Sequence, residues 1–251
     1  MKELEPAARA LLAAGPLTAR QMGEVLATKF PNAQKAGLAH WIRTCIPLAM
    51  IPTDDRWGYS RPPRFLPADL WLDCPLNAKG SVAKLVLRCL SAIGPASSAD
   101  VRTWSNLAGI KPVLEDLRPQ LLTFRDELGR ELFALIDAPR PRADTPAPVR
   151  FLPEYDNTFL SHADRGRIVL KEHNHRFTAA KNGRRLRAVL AGGFVRGGWS
   201  IARQRDTATI LVTMFEKLSK ESVVELSEEA EALLRFIEPD ASEFVVDVIL
   251  P

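Results

Sequence analysis

Gly15-Pro-Leu-Thr-Ala-Arg-Gln-Met-Gly-Glu-Val-Leu26 and, 79 residues on, Gly94-Pro-Ala-Ser-Ser-Ala-Asp-Val101 open on the same signal. Each has a Gly-Pro pair, one further residue, then a hydroxyl side chain ahead of an apolar-periodic run. Gly-Pro ends a preceding helix, because proline has no amide hydrogen to donate and glycine tolerates the exit conformation. The Ser or Thr that follows accepts from the unpaired N–H groups of the next helix's first turn. Thr18 is therefore expected to cap a helix over 19–29, with Glu24 too late to complete a capping box. Ser97 or Ser98 is expected to cap a helix through Val101, Trp104 and Leu107, stopped by Gly109.

Outward from each signal the order of elements repeats. A helix pattern precedes it in both copies, over 4–14 and over 81–93, and a third helix pattern follows, over 33–46 and 111–117. In the first of these third helices Leu38, Trp41, Ile42 and Cys45 fall at helical spacing. Each copy then closes on a predicted hairpin, with strands at 49–51 and 57–59 in the first and at 121–125 and 130–136 in the second. Three helices and a two-stranded hairpin make a winged helix. The expected fold is α+β: winged helix-turn-helix domains at 1–75 and 76–137, a proline-rich linker at 138–150, and a C-terminal β-rich, barrel-like domain with one or two helices at 151–251.

Composition narrows the function classes. The 251 residues are 46% hydrophobic and 25% charged, as in an ordinary globular chain, and no apolar run is long enough to span a bilayer. Cys45, Cys74 and Cys89 are odd in number and far apart, which fits neither a disulfide framework nor a zinc ribbon and points to a reducing cytoplasm. The net charge of +4 is unevenly spread. From Ala163 to Arg187 eight Lys/Arg face two acids, whereas from Glu216 to Asp247 ten acids face three bases. A basic stretch of this kind suits an anionic partner, since each cation–phosphate contact releases a counterion.

Candidate phosphate and groove contacts follow from this layout. The third helix of a winged helix can lie in a major groove while its hairpin rests on phosphates. In the first copy this selects Gln34, Lys35, His40 and Arg43 on the helix, with Arg56, Arg61 and Arg64 on the wing. The second copy offers Lys111, Arg118, Arg125 and Arg130. The basic stretch adds Arg165, Arg167, Lys171, Arg176, Lys181, Arg184, Arg185 and Arg187. The simpler alternative is that both copies are architectural or protein-interaction modules with solvated charges. Trp41, Trp57, Trp71 and Trp104 are expected as core anchors. His173-x-His175 would place two imidazoles on one strand face, but no third ligand stands at metal spacing, so no metal is expected.

The stretch from Arg150-Phe-Leu-Pro-Glu-Tyr-Asp-Asn157 to Leu160-Ser-His-Ala-Asp-Arg165 is the least generic. With Thr123-Phe-Arg-Asp-Glu127, Gly129-Arg-Glu-Leu-Phe133 and Val189-Leu-Ala-Gly-Gly-Phe-Val-Arg-Gly-Gly-Trp199, it resembles the bacterial winged-helix DNA-binding proteins related to the interstrand-crosslink DNA glycosylases. The resemblance runs from Gly15 to Trp199. It implies tandem winged helices with a β-rich C-terminal domain, double-stranded DNA as partner, no metal or organic cofactor, and removal of bulky alkylated bases or unhooking of crosslinks.

Active members of that family carry a Gln-(aliphatic)-(Gln/Asp) motif in an extra N-terminal winged helix, ahead of the point at which this chain starts. Gln204-Arg-Asp206 has arginine in the middle and lies in a strand-turn region. The expectation is a duplex-binding relative without the family's catalytic pair, or one whose upstream domain is missing. A divergent glycosylase would need other carboxylates, and Glu154, Asp156 and Asp164 with His162 are the candidates. The plainer reading makes Asp156-Asn157 a turn and pairs Asp164 with Arg165 or Arg167.

Overall fold

A computed structural model describes residues 3–54, 58, 60–76, 80–178 and 186–251. Its contacts divide the chain into two compact units, Met1–Gly80 and Ser81–Pro251.

In the first unit, α1 (Leu4–Ala13) buries Leu4, Ala8 and Leu12, one apolar residue per turn. After Gly15-Pro16 comes the two-residue strand β1 (Leu17–Thr18). Thr18 then caps α2 (Ala19–Lys29) in a full capping box, since the Gln21 side chain at the third helical position accepts from the Thr18 amide at 2.9 Å. Gln21, not Glu24, completes the box. The third helix, α3 (Lys35–Cys45), packs on α2 through Leu38, Ala39 and Ile42. Gly23 makes their close approach possible, because a Cβ there would sit 2.4 Å from the Lys35 carbonyl oxygen.

Strands β2 (Leu48–Met50) and β3 (Arg64–Pro67) complete a sheet in the order β1-β3-β2, with Phe65 paired to both Leu17 and Met50. The strand paired to β2 lies at 64–67, where Phe65 packs against this core; of the expected 57–59 strand, Trp57 and Tyr59 lie outside the described residues. A short helix, α4 (Ala68–Leu72), follows and is tied to α1 by Arg9, whose guanidinium donates to both Asp69 oxygens at 3.2 and 3.0 Å. Trp71 on α4 is 46% exposed, so it is not a core anchor. Trp57 lies outside the described residues.

The second unit begins with the same order: α5 (Val82–Ile93), α6 (Ser98–Ser105), α7 (Ile110–Leu117), β4 (Leu121–Arg125) and β5 (Glu131–Leu135). Ser97 caps α6 in a capping box with Asp100. Ala96, at the position of Leu17 in the first unit, bridges Phe133 through two backbone hydrogen bonds of 2.9 and 2.8 Å. Val86, Leu90, Val101, Leu114 and Phe133 form the core. Trp41 and Trp104 pack against the cores of their units as expected.

Beyond β6 (Arg150–Phe151), α8 (Asn157–Leu160) and α9 (Asn174–Thr178) come β7 (Ala188–Ala191), β8 (Phe194–Gln204), β9 (Thr207–Met214), α10 (Lys220–Ile237) and β10 (Glu243–Ile249). The strands form one open sheet in the order β10-β9-β8-β7-β6, antiparallel except that β10 runs parallel to β9. No barrel closes, which corrects the sequence expectation. With α10 carrying the chain back to start β10 alongside β9, the two end strands stay as separate edges. Leu226, Ala230 and Leu234 of α10 fill one sheet face over Ile210, Val212 and Met214. Among the described residues no helix is long and apolar enough to cross a membrane.

Candidate nucleic-acid interface

The site is built from two pieces of the second unit, the β4–β5 hairpin and the segment that follows α8. The hairpin turns over Asp126, whose carboxylate accepts from the Leu128 and Arg130 amides at 2.9 and 2.8 Å. It also accepts from the Arg130 guanidinium at 2.5 Å, and Gly129 takes a positive φ of 76° to let the chain reverse. Arg125 donates across the turn to the Gly129 carbonyl at 2.9 Å.

The second piece, His162 to Arg167, is bonded onto the first helices and the hairpin. His162 donates to the Ile93 carbonyl at the end of α5 and faces Asp100. The Ala163 amide donates to Asp100 Oδ1 at 2.8 Å. Asp164 pairs with Arg130 at 2.9 Å, and Arg167 donates to the Pro95 carbonyl at 3.0 Å. Asp100 is thus shared: one oxygen closes the capping box with Ser97, the other receives Ala163.

Charge follows geometry. Burial works to raise the Asp100 carboxyl, but the Ser97 hydroxyl and amide, the Ala163 amide and nearby His162 hold it below the usual range. His162 is pushed below its ordinary value by burial first, helped by Arg167 and opposed by Asp100. Asp164 is lowered by the Gly166 amide and then by Arg130.

Together these elements enclose a depression of about 610 Å³ walled by Arg125, Arg130, Arg167 and Lys171, with Asp100, Asp126, Glu127 and Asp164 among them and Leu128, Leu132 and Phe194 as its apolar surface. Four cations predicted from separate stretches therefore meet around one hollow. Three of the four carboxylates are already held, Asp126 and Asp164 by Arg130 and Asp100 by Ser97 and Ala163.

The other predicted contacts lie elsewhere. In the first unit Gln34, Lys35 and Arg43 are exposed on or just before α3, and Lys35, His40 and Arg43 line a 430 Å³ groove with Arg20 and Glu24 of α2. Arg43 stacks 5.4 Å over Phe65. Arg64 is exposed at the start of β3 beside a second hollow that also holds Arg61. Of the remainder, Lys111 borders hollows at the start of α7, and Arg118 is held between Glu115 and Glu131.

Further along the second unit, Arg165 is turned inward, donating to the Phe159 carbonyl at 3.0 Å. Arg187 pairs with Glu154 at 3.2 Å and lies 5.2 Å over Trp199. Arg176 lies 4.4 Å over Phe215. Arg56, Lys181, Arg184 and Arg185 fall outside the described residues.

The four candidate catalytic residues do not converge. Glu154 is taken by Arg187, Asp156 caps α8 through the Thr158 amide at 2.8 Å, and His162 and Asp164 are part of the docking of their segment. His173 and His175 sit on a 3-10 turn and α9, not on a strand; His173 is buried 5.1 Å from Phe215. Among the described residues no cluster of three or more His, Cys, Asp or Glu side chains is arranged to hold a metal. Gln204-Arg205-Asp206 is the tip of the β8–β9 hairpin, with Arg205 at a positive φ of 52°. Asp100 and Leu128 were not predicted. Asp100 carried a readable signal, as the acid of Ser97-x-x-Asp100.

The chain is thus a mixed helix-and-sheet protein in which four cations and four carboxylates meet around one hairpin. The sequence profile of the family described as DNA glycosylase AlkZ-like matches residues 1–236, and the chain belongs to that family. No curated protein matches it. Its fold is similar to the solved structure of Streptomyces sahachiroi DNA glycosylase AlkZ, at 18% identity and a TM-score of 0.69, over 99% of this chain and 69% of that one.

Proposed function

We propose that this chain binds double-stranded DNA, chiefly through its phosphates, and serves a DNA-glycosylase-like role in repair. In this reading 1–75 and 76–137 are winged helices, 138–150 links them to the C-terminal domain at 151–251, and the protein works in a reducing cytoplasm. The observation that carries it is the meeting of Arg125, Arg130, Arg167 and Lys171 around one hollow at the second hairpin. Cations drawn from distant stretches onto one surface suit a polyanion, and phosphate contacts need no base recognition. Membership of the DNA glycosylase AlkZ-like family supports the same partner.

The joint residues do not perform excision in this proposal. Glu154, Asp156 and Asp164 each already hold a cation or an amide, and a carboxylate that must position water or stabilise a developing sugar cation has to be free to face the substrate.

Fluorescence anisotropy with a duplex probe across a salt series tests the binding. Tight binding with a steep loss of affinity as salt rises is expected; flat, negligible binding would overturn it. Incubation with alkylated or crosslinked duplex tests the chemistry. If base release occurs and Asp156→Ala or Glu154→Ala abolishes it with duplex affinity intact, the joint is catalytic and this part of the proposal is wrong.

A further inference from the structure

Leu128 is 75% exposed, more than any other large apolar side chain among the described residues. It stands at the tip of the β4–β5 hairpin, and the tip is not slack. Asp126 binds the Leu128 amide, the Arg130 amide and the Arg130 guanidinium, and Arg125 braces the turn from the opposite side. A residue held out on a fixed turn has little backbone entropy left to lose on binding. Arg125 lies three residues before it and Arg130 two after, with exposed Glu127 between Asp126 and the tip, and Leu128 itself borders the hollow that Arg167 and Lys171 line. Fixed apolar tip and flanking cations together suit the minor groove of a duplex, where apolar side chains enter between base pairs while cations hold the neighbouring phosphates. A protein surface would cover the leucine but would leave these cations without phosphate partners.

We propose that Leu128 is a wedge that enters the minor groove and unstacks a base step, bending the duplex toward the major groove. The inference rests on the duplex-binding reading and adds to it a mode of engagement and the residue that delivers it. Arg125, Arg167 and Lys171 hold the phosphates beside the opened step. Asp126 is the positioning residue, because it fixes the turn without touching DNA.

The test uses the full chain with duplexes carrying 2-aminopurine at successive positions, together with end-labelled duplexes that report bending by energy transfer. Binding is expected to raise 2-aminopurine emission at a central step and shorten the end-to-end distance. Leu128→Ser removes both signals and weakens affinity by about tenfold, the loss expected for one buried apolar side chain, with the salt slope unchanged. Leu128→Phe, which keeps an apolar tip, restores them. Because the side chain is exposed, neither substitution disturbs the core.

Tight wild-type binding without an emission change, or an unchanged signal in Leu128→Ser, overturns the wedge and leaves duplex binding standing. Absence of duplex binding by the wild type overturns both.

Discussion

Replacing Asp100 with alanine tests whether the segment after α8 is held to the first helices of its unit as the geometry implies. The side chain is 6% exposed and receives the Ser97 amide and hydroxyl at 2.8 and 2.6 Å and the Ala163 amide at 2.8 Å. Loss of the helix-cap interaction costs about 1 kcal/mol. Loss of the bond from the part-buried Ala163 amide costs about 1 kcal/mol more, because Ala163 is exposed and water can replace the lost acceptor. The sum is about 2 kcal/mol. In a unit of this size each 1 kcal/mol moves the midpoint by about 2–4 °C, so Asp100→Ala should melt roughly 4–8 °C lower. Asp100→Asn, which keeps one acceptor oxygen, should fall between the two. Thermal denaturation followed by circular dichroism gives the midpoint, and amide hydrogen exchange gives the local effect, with Ala163 losing protection well ahead of the α10 amides. A fall of less than 1 kcal/mol, or unchanged exchange at Ala163, would refute the claim that this carboxylate joins the two regions.

Three further outcomes follow from the packing and the titrations. Gly23→Ala places a methyl group where the Lys35 carbonyl oxygen now lies 2.4 Å away, so α2 and α3 must separate; chemical denaturation should show a loss of about 1–3 kcal/mol. Stability should fall on acidification in two steps. His162 titrates below 6.5 in the fold, so its contribution is complete above pH 6.5 and is lost as pH falls through its folded value; Asp100 and Asp164 titrate below 3.8, so theirs is complete above pH 3.8 and is lost lower still. Melting curves across pH 3–8 check the sign, and His162→Gln should remove the upper step alone. Of the thiols, Cys45 and Cys74 are exposed while burial, with Asp100 nearby, pushes Cys89 up to about 11, so a thiol reagent at pH 8 should label two groups quickly and the third only on unfolding.

The order of elements was readable because each helix carries its own stop and start signals. Gly15-Pro16 and Gly94-Pro95 end one helix, and Thr18 and Ser97 begin the next, all within a few residues of chain. Pairing between strands is not local, and there the sequence misleads. Nothing in the local pattern marks Phe65, beyond two consecutive prolines, as the partner of both Leu17 and Met50. The open sheet is a similar case: alternation along 189–215 marks strands without saying which edges meet. The helix between β9 and β10 did hold the missing information, since a strand–helix–strand passage returns the chain parallel to itself and argues against a simple antiparallel barrel.

The most distinctive string in the chain turned out to owe its character to docking. His162, Ala163, Asp164 and Arg167 each find a partner between Ile93 and Arg130 that lies far away in sequence. A catalytic constellation and a docking clasp draw on the same residue types, because both need buried, hydrogen-bonded charge. What separates them is whether any group is left to face a substrate. Asp164, Asp126 and Asp100 are occupied, and the exposed side chains around them are cations, Glu127 and the apolar hairpin tip. In the proposed binding mode the clasp would act indirectly: by fixing Arg130 through Asp164 and Arg167 through the Pro95 carbonyl, it holds the cations of the hollow in one arrangement. It follows that Asp164→Ala should leave Arg130 tied only to Asp126 and reduce duplex affinity without removing any positive charge. A loss of self-repulsion with DNA would act in the opposite direction, so an affinity that rises in this variant would show that Asp164 acts through its charge and not through the position of Arg130.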